Sequence, residues 1–192
     1  SMLFGVVPYP NMGDAQPRYF SFVVTEATAP STARVVVEFL HEPSGNYFIT
    51  AHDDEIAQLD AGRFSGWRRS IGSFVALAGG ADAPSAAVPV CRFFSPQFTS
   101  HFYTANAEEC DTVVARWPDV WQLETRSAFR IFVPDATGTC PADTRPVYRL
   151  FNNKAAVNHR YVTDRKLREA MMAAGWIQEG TGPDSVAMCT PK

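Results

Sequence analysis

The chain shows the same succession of apolar and polar stretches three times. Each copy begins with a short β-prone run, at residues 37–40, 90–94 and 147–151. A polar connection and a second aromatic run follow, which is the pattern of a β-hairpin. The spacing of the apolar positions then changes to that of a helix, and a tryptophan begins a further pair of strands, such as residues 121–123 and 129–133. The pattern therefore predicts a hairpin, a helix and a further strand pair in every copy.

Two residue types recur at nearly constant spacing, which supports an internal repeat. The threonines that end the second strand are 54 and 59 residues apart, and the tryptophans are 54 and 55 residues apart. The three copies occupy residues 35–78, 89–134 and 145–191 of a single domain. Residues 1–34 precede the copies as a linker with an additional strand at 19–24. The recurring residues are Thr50, Thr104 and Thr163, and Trp67, Trp121 and Trp176.

Capping residues mark the predicted helices. Asn106 and Glu109 have the spacing of a capping box at the start of the second helix. Gly175 stands where the third helix should end. Acidic residues at 53–55 fall in the first turn of the first helix, where the helix dipole favours negative charge. These signals predict one short helix in each copy.

One copy is too small to bury a core of its own. Three copies that close around a common axis would share one centre and would pair or cover their end strands. We therefore predict a mainly β fold with three short helices, a pseudo-threefold repeat domain that is β-trefoil-like or small-propeller-like. A linear stack of copies is the alternative, although no polar capping copy is evident.

The chain contains four cysteines, Cys91, Cys110, Cys140 and Cys189. No two of them have the short spacing of zinc sites or redox motifs. The repeat brings Cys91 near Cys110 and Cys140 near Cys189, so we predict these two disulfides; four buried free thiols are the alternative. Because disulfides form in oxidising compartments, we expect a secreted or cell-surface protein.

Composition and charge exclude several classes of protein. With 17 basic and 20 acidic residues, the formal net charge of −3 gives no global attraction to nucleic acid or anionic lipid. The longest apolar run, at residues 71–80, is far shorter than a membrane span. A hydrophobic fraction of 46% is sufficient for a packed core. We therefore expect no nucleic-acid partner and no membrane span.

The motifs of the second and third copies resemble a bacterial and fungal repeat family of unknown function. Residues 147–180 contain Val-Tyr-Arg-Leu-Phe-Asn, Asn-His-Arg-Tyr-x-Thr-Asp and Ala-Ala-Gly-Trp-x-x-Glu-Gly, and residues 100–105 read Ser-His-Phe-Tyr-Thr-Ala. The resemblance covers residues 35–191. It implies a secreted or surface protein, because members of that family often stand beside lysozyme-type or other glycoside-hydrolase modules. The first copy departs from the motif, with Tyr47 at the histidine position and residues 68–70 in place of the Glu-Gly end.

Two histidines of the motif are candidate ligand-binding residues. His101 and His159 each precede an aromatic strand residue. They could donate hydrogen bonds to a sugar or a wall polymer. The alternative is structural, with each imidazole bonding a neighbouring backbone group to fix the hairpin, and a residue that repeats with the fold favours this interpretation.

Aromatic residues are the other candidates for binding. Trp67, Trp121 and Trp176 could stack on the apolar face of a pyranose, although their regular placement equally suits core packing. Phe98 lies in the hairpin loop of the second copy and has no counterpart in the other copies. Because loops often supply binding residues, we expect a contact role for Phe98.

Two glutamates and two arginines occupy matching positions. Glu124 and Glu179 each stand three residues after the tryptophan, and Arg92 and Arg149 match in the first strand. The favoured interpretation is an ion pair that braces each copy. The alternative, a pair of carboxylates for glycoside cleavage, requires both to face one cleft, which copies around an axis rarely allow.

These observations favour an exported, non-catalytic module that binds carbohydrate or cell-envelope polymer. The alternatives are a structural or protein-docking domain of a larger surface protein and, with less support, a glycoside hydrolase. We expect no cofactor. Residues 52–55 could ligate a metal on paper, but four consecutive residues at a helix start cannot all point one way, so we expect no metal site.

Overall fold

The computed structural model describes residues 32–79 and 83–192. The additional strand predicted at residues 19–24 and the linker around it lie outside the described residues. The helices are α1 Asp53–Asp60, α2 Ala107–Arg116 and α3 Arg165–Ala173. The strands are β1 Ala33–His41, β2 Asn46–Thr50, β3 Trp67–Leu77, β4 Val88–Pro89, β5 Cys91–Ser95, β6 Ser100–Thr104, β7 Gln122–Thr125, β8 Arg130–Ile131, β9 Thr144–Phe151, β10 His159–Val162, β11 Ile177–Glu179 and β12 Val186–Pro191.

The strands form three small antiparallel sheets. Their orders are β2-β1-β3-β8-β4, β6-β5-β7 and β10-β9-β11, with β12 also paired to β9. The prediction of a mainly β fold with three helices is confirmed. None of these sheets closes on itself within the described residues, so the β-trefoil-like or small-propeller-like arrangement stays a prediction.

Each predicted copy, called a unit below, contains a hairpin and a helix. The further strand pair is present as β7 and β8 in the second unit and as β11 and β12 in the third, whereas the first unit has the single strand β3 in its place. The three hairpins are β1–β2, β5–β6 and β9–β10, and each leads directly into the helix of its unit. The helix N-caps are His52, Asn106 and Asp164. Counted back from these caps, Val162 occupies the place of Thr50 and Thr104. Thr163, the third recurring threonine, therefore lies one residue after the position equivalent to Thr50 and Thr104.

The capping predictions hold in the second and third helices. The Asn106 side chain accepts a hydrogen bond from the backbone N–H of Glu109 at 3.1 Å. Gly175 follows α3 with a φ of +95°, a left-handed conformation that glycine adopts without a steric penalty. The Glu109 side chain does not complete a capping box but points to a neighbouring unit, as described below.

Buried polar groups tie the second strands of the hairpins together. The hydroxyl of Tyr103 donates to the carbonyl of Ile49, and the hydroxyl of Tyr161 donates to the carbonyl of Tyr103 at 2.7 Å. Asn158 donates to the Ser100 hydroxyl at 2.8 Å. Because these residues come from three hairpins, one buried network links all three units.

The two predicted disulfides are confirmed. Cys91–Cys110 joins β5 to α2, with its Cα atoms 6.2 Å apart. Cys140–Cys189 joins the segment after the second unit to β12, with its Cα atoms 5.7 Å apart. All four cysteines are thereby used. Among the described helices, none combines the length and apolar character needed to cross a membrane.

Candidate functional site

A cavity of about 390 Å³ lies between the second and third units. We call it the Trp121 cavity. Most of its wall is aromatic, and its polar groups are two carboxylates and one imidazole. Its lining residues include Phe98, Phe102, Trp121, Glu109, His159 and Glu179.

A second cavity, of about 190 Å³, lies between the first and second units. We call it the Trp67 cavity. It is lined by Phe48, Glu55, Leu59, Phe64, Trp67 and His101.

The two cavities are built from equivalent positions. Phe48 and Phe102 each lie opposite a phenylalanine of the first strand of their hairpin. Glu55 and Glu109 are each the third residue of their helix. The tryptophan and the histidine are likewise matching members of the sequence motif. The same set of side chains therefore lines the contact between units 1 and 2, the first junction, and that between units 2 and 3, the second junction.

An arginine holds the carboxylates of the second junction. Arg149 donates to both oxygens of Glu109, at 2.8 and 2.9 Å. Its Nε lies 2.9 Å from Oε2 of Glu179. His159 Nε2 lies 3.2 Å from the same Oε2. The guanidinium also lies over the Phe102 ring, 5.0 Å from its centroid. Arg149 therefore contacts both the carboxylates and an aromatic ring of the junction.

The first junction repeats this arrangement. Arg92 binds both oxygens of Glu55, each at 2.9 Å, and its Nε lies 2.8 Å from Oε2 of Glu124. His101 Nε2 lies 3.4 Å from that oxygen. The ion pairs predicted between the matching arginines and glutamates are confirmed. Since Glu124 and Glu179 bind different arginines in different junctions, they are not arranged as a pair of carboxylates on one substrate.

The two motif histidines lie at the junctions, where they contact glutamate side chains and not the backbone groups predicted by the structural interpretation. The centroid of the His101 ring lies 4.6 Å from that of Phe48 and 4.9 Å from that of Phe94, and its Nε2 atom contacts Oε2 of Glu124. His159 is placed in the same way in the second junction. The Nδ1 atoms of both rings are buried and have no hydrogen-bond partner among the described residues. Both imidazoles therefore brace a junction and also line a cavity.

Five of the six predicted binding residues line the two cavities. Phe98, Trp121 and His159 line the larger one, where the Phe98 and Trp121 rings are 6.3 Å apart. Trp67 and His101 line the smaller one. All three tryptophans pack against a core cluster, but Trp176 lines neither cavity, and its ring lies 6.3 Å from that of Tyr47.

Sequence reasoning missed the helix glutamates as members of these sites. A signal was present, because Glu55 and Glu109 each stand five residues after the threonine that ends the hairpin. Thr50 donates a hydrogen bond to Glu55, which explains that spacing. In the third unit Val162 and Leu167 occupy these two places and belong to an apolar cluster.

The contact between units 3 and 1, the third junction, has reversed charges. Glu38 stands at the arginine position of the first strand, and Arg160 stands at the phenylalanine position of the second. Arg160 donates to both oxygens of Glu38 at 2.9 Å. Ser70, at the position of Glu124 and Glu179, donates a hydrogen bond to Glu38. The Arg160 guanidinium lies 4.0 Å from the ring centroid of Tyr47, the residue at the histidine position.

The four junction glutamates, Glu55, Glu109, Glu124 and Glu179, have lowered pKa values. Burial is the largest single influence on each and raises its pKa. The hydrogen bonds and charges of the neighbouring arginines and histidines, with hydrogen bonds from Thr50 to Glu55 and from Thr104 to Glu109, together outweigh burial. The carboxylates are therefore held ionised, whereas a general acid in glycoside cleavage needs a raised pKa.

We expect the fold to lose stability in acid. A carboxyl whose pKa is lowered on folding stabilises the protein above its unfolded pKa, about 4.3 for glutamate, and this contribution is lost as the pH falls through the folded values. Urea midpoints should therefore fall as the pH is lowered from neutral to about 3. Glu124→Gln should reduce that dependence, and Glu108→Gln, on the exposed side of α2, should preserve it. A midpoint that stays constant over this range would contradict the assignment.

Residues 52–55, considered above as possible metal ligands, have separate contacts. His52 caps α1, while Glu55 binds Arg92. No group of three or more His, Cys, Asp or Glu side chains suited to a metal ion occurs in residues 32–79 and 83–192.

No curated protein and no solved structure matches the chain. A family model described as a domain of unknown function matches residues 18–131. The matched segment includes the first two units, the Trp67 cavity and several walls of the Trp121 cavity. Because the match covers more than half of the chain, the protein belongs to the family of the domain of unknown function DUF5648.

Proposed function

We propose that this protein is an exported, non-catalytic module that binds carbohydrate or cell-envelope polymer in the Trp121 and Trp67 cavities. The observation that carries the proposal is that one set of side chains, a tryptophan, a phenylalanine, a histidine and two glutamates held by an arginine, occurs at two junctions. Packing alone does not require an open space at both places, and yet a cavity remains at each.

The chemistry of the walls suits a sugar. Flat aromatic faces stack on the apolar C–H face of a pyranose, and carboxylate and imidazole groups accept or donate hydrogen bonds at its hydroxyls. The larger cavity falls within the range of roughly 300–1,000 Å³ that small-molecule sites occupy. Trp117 and Phe64, which line the two cavities, are 48% and 50% exposed, so each cavity presents an accessible aromatic surface.

We further propose that the units are related by a pseudo-threefold rotation, as in a trefoil-like or small-propeller-like domain. Three equivalent junctions support this arrangement, because unit 1 contacts unit 2, unit 2 contacts unit 3, and unit 3 contacts unit 1 through Arg160 and Glu38. A linear stack would leave the first and third units apart.

Export is supported by the two disulfides and by the resemblance of residues 147–180 to a secreted repeat family. Disulfides persist in oxidising compartments and are rare in the cytosol. With two sites on one chain, a polymer can bind both and gain affinity through the high local concentration of the second site.

A protein-docking role is the second candidate, and exposed apolar side chains favour it. Ile71 on β3 is 93% exposed and Val35 on β1 is 57% exposed. An Ile71→Ser variant that loses a partner and retains sugar binding would identify this role.

The Trp121→Ala variant should lose sugar binding. We expect its affinity for an oligosaccharide that the wild type binds to fall by about tenfold or more, because stacking contributes about 0.5–1.5 kcal/mol beyond buried area. Calorimetric titration with neutral, amino and acidic oligosaccharides measures this. Trp176→Ala is the matched control, since the equivalent indole packs in the third unit, and its affinity should stay unchanged. Failure of the wild type to bind any sugar of the panel would reject the proposal.

A further inference from the structure

The two junctions share one arrangement of charged groups. In the second junction two carboxylates, Glu109 and Glu179, face one guanidinium, Arg149. In the first junction Glu55 and Glu124 face Arg92. Both carboxylates of the second junction line the Trp121 cavity, whereas Glu55 is the carboxylate that lines the Trp67 cavity. A low-dielectric site walled by aromatic rings and carboxylates attracts a cation and repels an anion.

The third junction shows how the same place accommodates a cation of the chain itself. The Arg160 guanidinium lies over the Tyr47 ring and binds Glu38. Its Nη1 is 3.9 Å from the sulfur of Met171, which stands at the position of Leu59 and Val113 in the other cavities. Without this guanidinium, Glu38 would be buried without a cation. The chain thus places a cation of its own on the second strand at this junction, whereas Phe48 and Phe102 stand at that position in the other two.

We propose that each open cavity binds one ammonium group of its ligand, so that the polymer recognised is a glycan with free amino groups; this rests on the proposed function. The ammonium lies against the aromatic wall beside the carboxylates, in the manner of a cation over an aromatic face. Arg149 and His159 both contact Oε2 of Glu179, which leaves Oε1 for the ligand. In the Trp67 cavity the lining carboxylate is Glu55, beside the imidazole of His101.

The proposal makes a prediction that separates amino sugars from their neutral relatives. An N-acetylated amino sugar has the same ring and hydroxyls as the free amine but no charge. It cannot balance the carboxylates, and its acetyl group needs extra room. An acidic glycan adds a negative charge to a site that carboxylates already line. We therefore expect free-amine oligomers to bind more tightly than N-acetylated oligomers, and acidic oligomers to bind least.

The test compares three forms of one β-linked glucosamine hexamer by calorimetric titration at neutral pH. The forms carry free amines, N-acetyl groups and N-trimethyl groups, and the last is charged at any pH. We expect the trimethylated and free-amine forms to bind at least about tenfold more tightly than the acetylated form, with an affinity that decreases as salt is added. Choline alone serves as a fourth ligand, to distinguish the ammonium group from the sugar that carries it.

Variants locate the binding in the cavities. Glu179→Gln removes one of the two carboxylates that line the Trp121 cavity and should reduce its preference for the charged hexamers by about tenfold. Glu108→Gln, an exposed neighbour that lines neither cavity, removes the same charge and should leave the preference intact. Circular dichroism checks that both variants are folded.

The outcomes separate this inference from the proposed function. Equal or tighter binding of the acetylated hexamer would overturn the inference and leave sugar binding in place. Binding of choline with the same affinity as the charged hexamers would assign the site to a small ammonium ligand and overturn the amino-glycan assignment. Absence of binding by every hexamer and by the wider sugar panel would overturn both proposals.

Discussion

Replacing Glu38 by alanine is expected to lower the free energy of unfolding by about 3–5 kcal/mol. The Glu38 side chain is 1% exposed and its partner Arg160 is 10% exposed, so the variant leaves a guanidinium buried without its counter-charge. The Ser70 hydroxyl loses its acceptor as well. Burying an unpaired charge costs several kcal/mol, and nothing in the third junction replaces the carboxylate.

Urea denaturation followed by fluorescence of the tryptophans measures this effect. The matched control is Glu42→Ala, which breaks the exposed ion pair between Glu42 and Arg68 and should cost about 0–1 kcal/mol. Replacing Glu38 and Arg160 together by leucine and methionine should recover part of the loss, because both buried charges are then gone. Equal unfolding midpoints for Glu38→Ala and the wild type would show that the third junction does not stabilise the fold.

Removing the Cys140–Cys189 disulfide is expected to cost about 4 kcal/mol, and removing Cys91–Cys110 about 3 kcal/mol. The bonds close loops of 49 and 19 residues, and the longer loop gains more entropy in the unfolded chain when it is opened. The Cys140–Cys189 bond also holds the last strand of the third unit against the segment that follows the second unit. Its loss should therefore loosen the second and third units together.

The measurement compares two double variants, Cys140→Ala with Cys189→Ala and Cys91→Ala with Cys110→Ala, under oxidising conditions. Cys110 and Cys189 are fully buried, so alanine is a better replacement than serine, which would bury a hydroxyl. A reductant should destabilise the wild type by about the combined loss and should leave a variant without all four cysteines unchanged. A larger cost for the shorter loop would contradict the entropic ordering.

Much of the fold was readable from local patterns. The hairpins, the three helices and their caps depend on residues within a few positions of each other, such as Asn106 and Glu109. The cysteine pairing also followed, because the order of strand and helix within a unit brings Cys91 beside Cys110. The ion pair of Arg92 with Glu124 was predicted because both residues recur at matching places.

The rest depends on contacts between units, which no local pattern records. Arg160 and Glu38 are 122 residues apart, and each alone looks like a departure from the repeat. The pairing of Glu109 with Arg149 spans 40 residues and crosses a junction. The histidines could not be assigned to packing or binding from the sequence, since a residue at a junction both packs between two units and lines a cavity. The offset of Thr163 arises because Val162 replaces the threonine in an apolar cluster.

The reversed charges of the third junction also decide which units can become neighbours while the chain folds. If the first strand of unit 1 docked on unit 2, Glu38 would meet the apolar ring of Phe102 and would be buried without a cation. If unit 3 received the strand of unit 2, Arg92 would face Arg160. Each wrong order therefore incurs the cost of an unpaired buried charge. The same ion pair that fills the third junction thus distinguishes the contact between units 3 and 1 from the contacts between the other units.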